Sequence, residues 1–290
     1  MPTLDDYARQ SVYSDPGPYV GLIDALPSDL PGIGEVVRNT LIHYRGGGIE
    51  FTGDRLAEID NRWIDTLLTV DQNRNGCELA VPRESFDRVV GCCRDYTLLT
   101  VSALRHKGIP ARSRIGFATY FAPDFNHDHV VTEYWNGSRW VWADTQLDPA
   151  GDWSFDPLDL PPGVMLSAAQ VWTDYRKGLI DPDLYGATDD LKGPWFIRDY
   201  VYLELAHRMR DELLLWDIWG EMSADLPEDL TPTDTLATLL LAADTADTAD
   251  ADATLTALYV PPLRPTATIQ TLSPTGHHRP TPLRTPSSLR

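Results

Sequence analysis

Between residues 93 and 144 the apolar side chains change their period, and that change limits what the chain can fold into. Leu98, Leu99, Val101, Ala103 and Leu104 fall at helical spacing in a helix that begins near Cys93. Lys107-Gly108-Ile109-Pro110 ends it, because Gly can turn left-handed and Pro cannot continue a helix. Residues 112–121, 129–135 and 139–144 then read as strands rich in Val, Trp, Tyr and Thr. This order predicts an α+β fold, with a helix bearing Cys93 packed on an antiparallel sheet bearing His129 and Asp144 and further helices on either side.

The flanks are helical in pattern. Ile33, Val36, Val37, Leu41 and Tyr44 share one spacing and stop at Gly46-Gly47-Gly48, and Ile59, Trp63, Leu67 and Leu68 suggest a second helix. Residues 71–85 are polar and loop-like. Ser167 is placed to cap a helix carrying Ala168, Val171, Trp172 and Tyr175, and a longer helix is predicted over 199–222. From about Ala242 the chain becomes a low-complexity run of Ala, Asp and Thr, and from Thr266 it is rich in Pro, Thr and Ser. Such a tail buries too little apolar surface to offset its ordering entropy. The expected organisation is a helical N-terminal part (1–84), a catalytic core (85–150), a helical C-terminal part (151–241) and a disordered tail (242–290), dispensable beyond about Pro265.

With 24 Lys and Arg against 43 Asp and Glu, the net charge is -19, and so acidic a surface repels phosphate backbones and anionic lipid. Nucleic acid and membrane are not expected as partners. No run of about 18 apolar residues is present, and Met1-Pro2-Thr3-Leu4-Asp5-Asp6 has no secretory character. The three cysteines, two of them adjacent, make a poor disulfide framework, so reduced thiols and a cytoplasmic location are expected.

A thiol becomes a strong nucleophile as the thiolate, and a helix N-terminus or a nearby imidazolium lowers its pKa. Cys93 is placed at such a terminus, just after Gly91-Cys92. A histidine must sit close, and a third group must hold its ring in the useful tautomer. Asn136-Gly137 is a two-residue turn signal. With that loop Trp135 faces Ser138, Glu133 faces Trp140 and His129 faces Asp144, with Cβ atoms of opposed pairs roughly 4.5–5.5 Å apart.

The residues Gly91-Cys92-Cys93-Arg94-Asp95-Tyr96, followed by Leu104-Arg105-His106-Lys107-Gly108-Ile109-Pro110-Ala111-Arg112, resemble the nucleophile segment of the transglutaminase-like superfamily. In that family the catalytic Cys opens a helix, and a Gly-Ile-Pro-Ala-Arg turn leads into a strand. Its catalytic His opens a strand ending in an aromatic pair, as His129 to Trp135 does, and its Asp follows a Trp at the end of the next strand, as Asp144 follows Trp142. The resemblance covers about residues 85–150. It implies a papain-like core, Cys93 as nucleophile, His129 as base and Asp144 as the residue orienting the His. Phe155-Asp156-Pro157-Leu158-Asp159 and Trp195-Phe196-Ile197-Arg198 are also similar to actinobacterial proteins carrying this domain. Val131 stands where many members have a Trp, which bears on the shape of the acyl pocket. No acidic loop suited to calcium is present, so calcium activation is not expected.

Plainer readings stand beside these. Cys92 reads as packing, Cys77 as structural, and Arg94 with Asp95 as a surface pair at the helix start. His127 and His129 could chelate a metal from one strand face, but no Cys-x-x-Cys or distant His/Glu set completes a site, so no metal and no cofactor is expected. Trp135, Trp140 and Trp142 read as hairpin packing, with one possible wall of a substrate channel. Glu133, on the His129 face, reads as solvated or paired with an Arg. The expected function is acyl transfer from a peptide or small-molecule amide or ester to water or an amine, through a Cys93 acyl-enzyme. The alternative is a catalytically silent binding or scaffolding protein with the same fold.

Overall fold

The computed structural model describes residues 1–245 and 249–285. Helix α1 (Leu30–Thr40) buries Ile33, Val36 and Val37, and Asp29 caps it by accepting the Gly32 N–H. It does not run on to Tyr44. Leu41 turns extended and opens strand β1 (Leu41–His43), which pairs in parallel with β2 (Val89–Gly91). The helical spacing of Leu41 and Tyr44 is overridden by this non-local pairing, which gives the extended backbone its hydrogen-bond partners. Helix α2 (Ile64–Arg74) supplies Ile64, Leu67 and Leu68 to the core.

From β2 the chain passes directly into α3 (Cys93–His106), the central helix, buried from Cys93 to Arg105. Arg94 and Asp95 are therefore not a surface pair. The Arg94 guanidinium donates to the Arg62 and Glu212 carbonyls, and the Asp95 carboxylate accepts the Cys92 N–H at 2.8 Å in a capping box. Arg105 pairs with Glu212 at 2.9 Å, both fully buried.

Strands β3 (Ala111–Ala122) and β4 (Phe125–Trp135) form a long antiparallel hairpin. The outer edge of β4 is shared: β5 (Trp140–Ala143) pairs antiparallel with Thr132 to Trp135, and β7 (Tyr185–Thr188) pairs in parallel with Asn126 and His127. Strand β6 (Met165–Ser167) adds to β3, and β8 (Leu191–Lys192) to β7. The sheet is thus mixed, its one parallel junction being β4 with β7. Both faces are covered. Val130, Ile115 and Phe117 join the main core with α3, α4 (Ala168–Arg176) and α5 (Pro194–Arg208), while Val131, Ala118, Leu160 and Met165 form a second cluster.

Helix α5 stops at Arg208, well short of residue 222. Arg210 takes a left-handed φ of 69°, and the Asp211 N–H reaches back to the Ala206 carbonyl, closing the helix as a Schellman motif usually does with glycine. The guanidinium of Arg210 donates to the Arg9 and Gln10 carbonyls, contacts that hold this residue where a glycine is expected.

The C-terminal segment departs furthest from expectation. Helices α6 (Thr231–Ala242) and α7 (Ala249–Leu258) pack together, with Leu236, Leu240 and Leu255 buried. Strand β10 (Thr268–Leu272) pairs with both β9 (Asp217–Ile218) and β11 (His278–Pro282). Alternation along β10 buries Ile269 and Thr271 and exposes their neighbours. The Thr271 hydroxyl bonds Asp217 at 2.8 Å, and Asp217 pairs with buried Arg62. Arg284 pairs with Asp65 at 2.7 Å and lies over the Trp63 ring. The segment read as a disordered tail is therefore docked where it is described; positions 246–248 and 286–290 lie outside the described residues. The composition argument failed because few apolar residues suffice when the body already offers a strand edge and a buried ion pair in need of a partner.

A chain ending at Pro265 should lose stability, because Ile269 and the Thr271 partner of the Arg62–Asp217 pair are removed. At about 2–4 °C per kcal/mol for a protein this size, a drop in melting temperature of more than ~5 °C is expected by calorimetry. An unchanged melting temperature refutes the docked arrangement.

Candidate active site

Gly91 lets the chain enter α3 tightly: a Cβ there would stand 2.8 Å from the Asp95 Oδ2 atom, within the cap. Cys93 is the first helical residue, so its own N–H has no helical acceptor, and the positive end of the helix lies at its sulfur. One turn on, the Thr97 hydroxyl donates to the Val130 carbonyl at 2.8 Å, which fixes this end of α3 beside His129 on β4.

His129 stands where β7 and β5 part from β4, between His127 and Thr132. Its Nε2 atom lies 2.7 Å from Asp144 Oδ2, and both side chains are buried. The predicted partnership exists, but the predicted register does not. Trp135 pairs with Trp140 and Glu133 with Trp142, a shift of two residues, and the ladder ends at Ala143. The loop spans residues 136–139. Asn136 keeps a negative φ and its side chain accepts the Ser138 and Arg139 N–H groups, while only Gly137, at φ 97°, turns left-handed. An Asx turn replaced the expected tight turn. Because side chains alternate with period two, a shift of two keeps Asp144 on the His129 face, one diagonal step away. Asp144 is further held by the Tyr120 hydroxyl at 2.7 Å and the Gln146 N–H at 3.0 Å.

With Nε2 taken by Asp144, the other ring nitrogen is the one left for the sulfur. Burial pulls the His129 pKa down, but the Asp144 carboxylate and then the Cys93 sulfur more than offset it, raising it to about 10. A hydrogen bond from the Cys92 thiol holds the Cys93 thiol well below the usual thiol range; His129 and His43 act the same way, and burial opposes them. Cys92 is pushed well above that range by the same bond and by burial. The two adjacent cysteines are thus shifted in opposite directions, Cys93 down and the helix-capping Cys92 up. All three cysteines are free.

Sequence reasoning missed several neighbours. His43 lies opposite Gly91 in the β1–β2 pair, and its Nδ1 accepts the Arg45 and Gly46 N–H groups at 3.2 and 3.0 Å. That places its proton on Nε2, and His43 is one of the groups that lower the Cys93 thiol pKa. No signal marked His43, which sits in a stretch with helical spacing. Asp128 is partly buried, desolvation raises its pKa to about 6, and it accepts a bond from the Tyr200 hydroxyl. Tyr120 ends a predicted strand and carried no mark of a role.

A cavity of about 350 Å³ opens in front of Cys93, lined also by His43, Phe121, Phe196, Leu215 and Trp216. Trp135, Trp140 and Trp142 lie away from it. Glu133 pairs with Arg112 and Arg114 and accepts the Trp142 indole N–H at 2.8 Å, as a structural bridge. Val131 packs in the second cluster, so its departure from the family pattern does not shape this cavity. Among the described residues no helix is long and apolar enough to cross a membrane.

Comparison with known proteins adds a family. Residues 55–145 match the Transglutaminase-like superfamily. That stretch begins in the helical flank and ends one residue after Asp144, so it holds Cys93, His129 and Asp144 but not His43. No curated protein matches the chain. A crystal structure of a candidate cysteine protease from Cytophaga hutchinsonii aligns over 56% of this chain and 44% of its own, at 16% identity and a TM-score of 0.34. The chain thus spans under half the length of that protein, and a likeness at that score carries no argument about the site. Over residues 55–145, under half of the chain, the sequence thus matches the transglutaminase-like superfamily.

Proposed function

We propose that the protein is a cysteine-dependent acyl-transfer enzyme acting on an amide or ester carbonyl. The observation that carries this reading is the buried 2.7 Å contact between His129 and Asp144, with Cys93 at the helix start on the other side of the ring. A scaffold has no need of an ionised thiol held against an imidazolium.

The Cys93 thiolate attacks the carbonyl carbon, the C–S bond forms and the carbonyl electron pair moves to oxygen. The Cys93 N–H and the His43 Nε2–H are the donors available to that oxyanion. As the carbonyl re-forms, the bond to the leaving nitrogen or oxygen breaks, and the leaving atom takes the proton of His129. Water or an amine then adds to the acyl-enzyme and gives a proton to His129, and the C–S bond breaks to restore the thiolate. Asp144 and Tyr120 touch neither sulfur nor substrate; they hold the ring and its tautomer.

Brief treatment with iodoacetamide at neutral pH should label Cys93 ahead of Cys92 and Cys77, read by peptide mass spectrometry. Labelling mainly at Cys92 or Cys77 sinks the assignment. The alkylation rate should rise with pH at a point well below the usual thiol range, since a lowered pKa means thiolate at lower pH. In His129→Ala that inflection should move up towards an ordinary thiol. Turnover, which needs imidazolium as acid, should fall as pH passes about 10, where His129 loses its proton.

Replacing His43 tests the oxyanion role. With p-nitrophenyl acetate, His43→Ala should lower kcat by roughly 10²–10³, the scale of one lost oxyanion donor, with KM changed less. A change confined to KM assigns His43 to substrate binding instead.

A further inference from the structure

The cavity at Cys93 has an unexpected wall. Leu272 closes strand β10 and Pro274 lies in the turn after it, and both line the cavity although they stand about 180 residues along the chain from the sulfur. The turn is ordered by its own bonds: the Gly276 N–H reaches the Ser273 carbonyl at 2.9 Å, and the Ser273 and Thr275 hydroxyls meet at 2.9 Å. The hairpin is anchored behind it by Thr271, which bonds Asp217 and Thr281. The Leu272 N–H bonds the carbonyl of Trp216, which faces the same cavity, so hairpin and cavity wall are tied at that point.

The lining is mainly apolar. Phe196, Leu215 and Trp216 stand inside with Pro274, and the partly exposed side chains of Phe121, Leu191 and Leu272, at 39%, 43% and 41%, lie round it. Two charged groups that face the cavity are already engaged. Asp128 takes the Tyr200 hydroxyl, and Arg45 donates to the Ala187 carbonyl at 3.1 Å and lies over the Tyr44 ring. At about 350 Å³ the space is at the small end of ligand pockets, roughly 300–1,000 Å³.

We infer that this cavity is an acyl pocket for a compact, uncharged, apolar acyl group, and that the tip of the C-terminal hairpin, through Leu272 and Pro274, is the wall that sets the size it accepts. The inference rests on Cys93 being the nucleophile. Leu272 is part of the selecting surface and takes no part in bond making. Its exposure means that replacing it disturbs little packing.

The test uses alkylating probes with one reactive group and different acyl bodies: chloroacetone, 2-chloro-1-phenylethanone and 2-chloro-1-(1-naphthyl)ethanone. In each, the Cys93 thiolate forms a C–S bond and chloride leaves. The reading is the ratio of the naphthyl to the phenyl rate at Cys93. Leu272→Ala should raise it by roughly tenfold, the scale of a few methylenes in an apolar pocket, and Leu272→Trp should lower it. Ratios unchanged in both variants overturn the wall. Slow reaction of Cys93 with every probe, chloroacetone included, counts against the nucleophile instead. A measurement free of that chemistry uses Cys93→Ser protein with 2-phenylacetamide, whose phenyl belongs to the acyl group, followed by calorimetry. Binding that Leu272→Trp weakens supports the pocket, and equal affinity in both proteins, or no binding in either, overturns it.

Discussion

A helix buried along its whole length must satisfy its own first turn without water, and the rest of this structure is arranged around that need in α3. Cys92 and Asp95 cap each other, Gly91 makes room for the Asp95 carboxylate, and the Cys93 N–H is left without a helical partner. The helix end that burial makes costly is also where a thiolate is most stabilised. Arg94, fastened to the carbonyls of Arg62 and Glu212, ties the same turn to segments far along the chain. Stability and chemistry share one set of atoms here.

The second organising feature is the divided edge of β4. A strand paired along its full length would bury His129 in a continuous ladder. Here β5 and β7 take opposite ends of that edge, one antiparallel and one parallel, and leave the His129 level between them. Tyr120 from β3, Asp144 after β5 and Gln146 beyond it converge there on one carboxylate and one imidazole. Electrostatically the site is self-consistent. Asp144 makes His129 basic, an imidazolium favours the Cys93 thiolate, and burial, which alone would neutralise both, is outweighed.

The C-terminal segment shows how an acidic chain with a polar tail still builds one wall of a cavity. Thr271 completes a buried Arg62–Asp217 pair that would otherwise be left short of a hydrogen-bond partner, and one alternating strand brings Ile269 inward and Leu272 to the cavity. Burying a charged pair costs less when every remaining lone pair is met. A segment with little apolar content of its own is thereby held on the body and beside Cys93.

Much was legible in the sequence. The change from helical to strand period marked α3 and the β3–β4–β5 region, the Gly-Ile-Pro turn marked their boundary, and Cys93, His129 and Asp144 stood out because motif and spacing are local properties. The His129–Asp144 contact survived a wrong register because strand faces repeat every two residues, so parity alone carried it. Other features were decided only in three dimensions. His43 looked helical because its strand exists only by pairing with β2. Arg94 and Asp95 looked exposed because their partners lie at distant positions. The tail looked disordered because composition counts what a segment offers and not what the body lacks. Local pattern singled out candidate residues, whereas non-local pairing and the satisfaction of buried polar groups decided which of them meet.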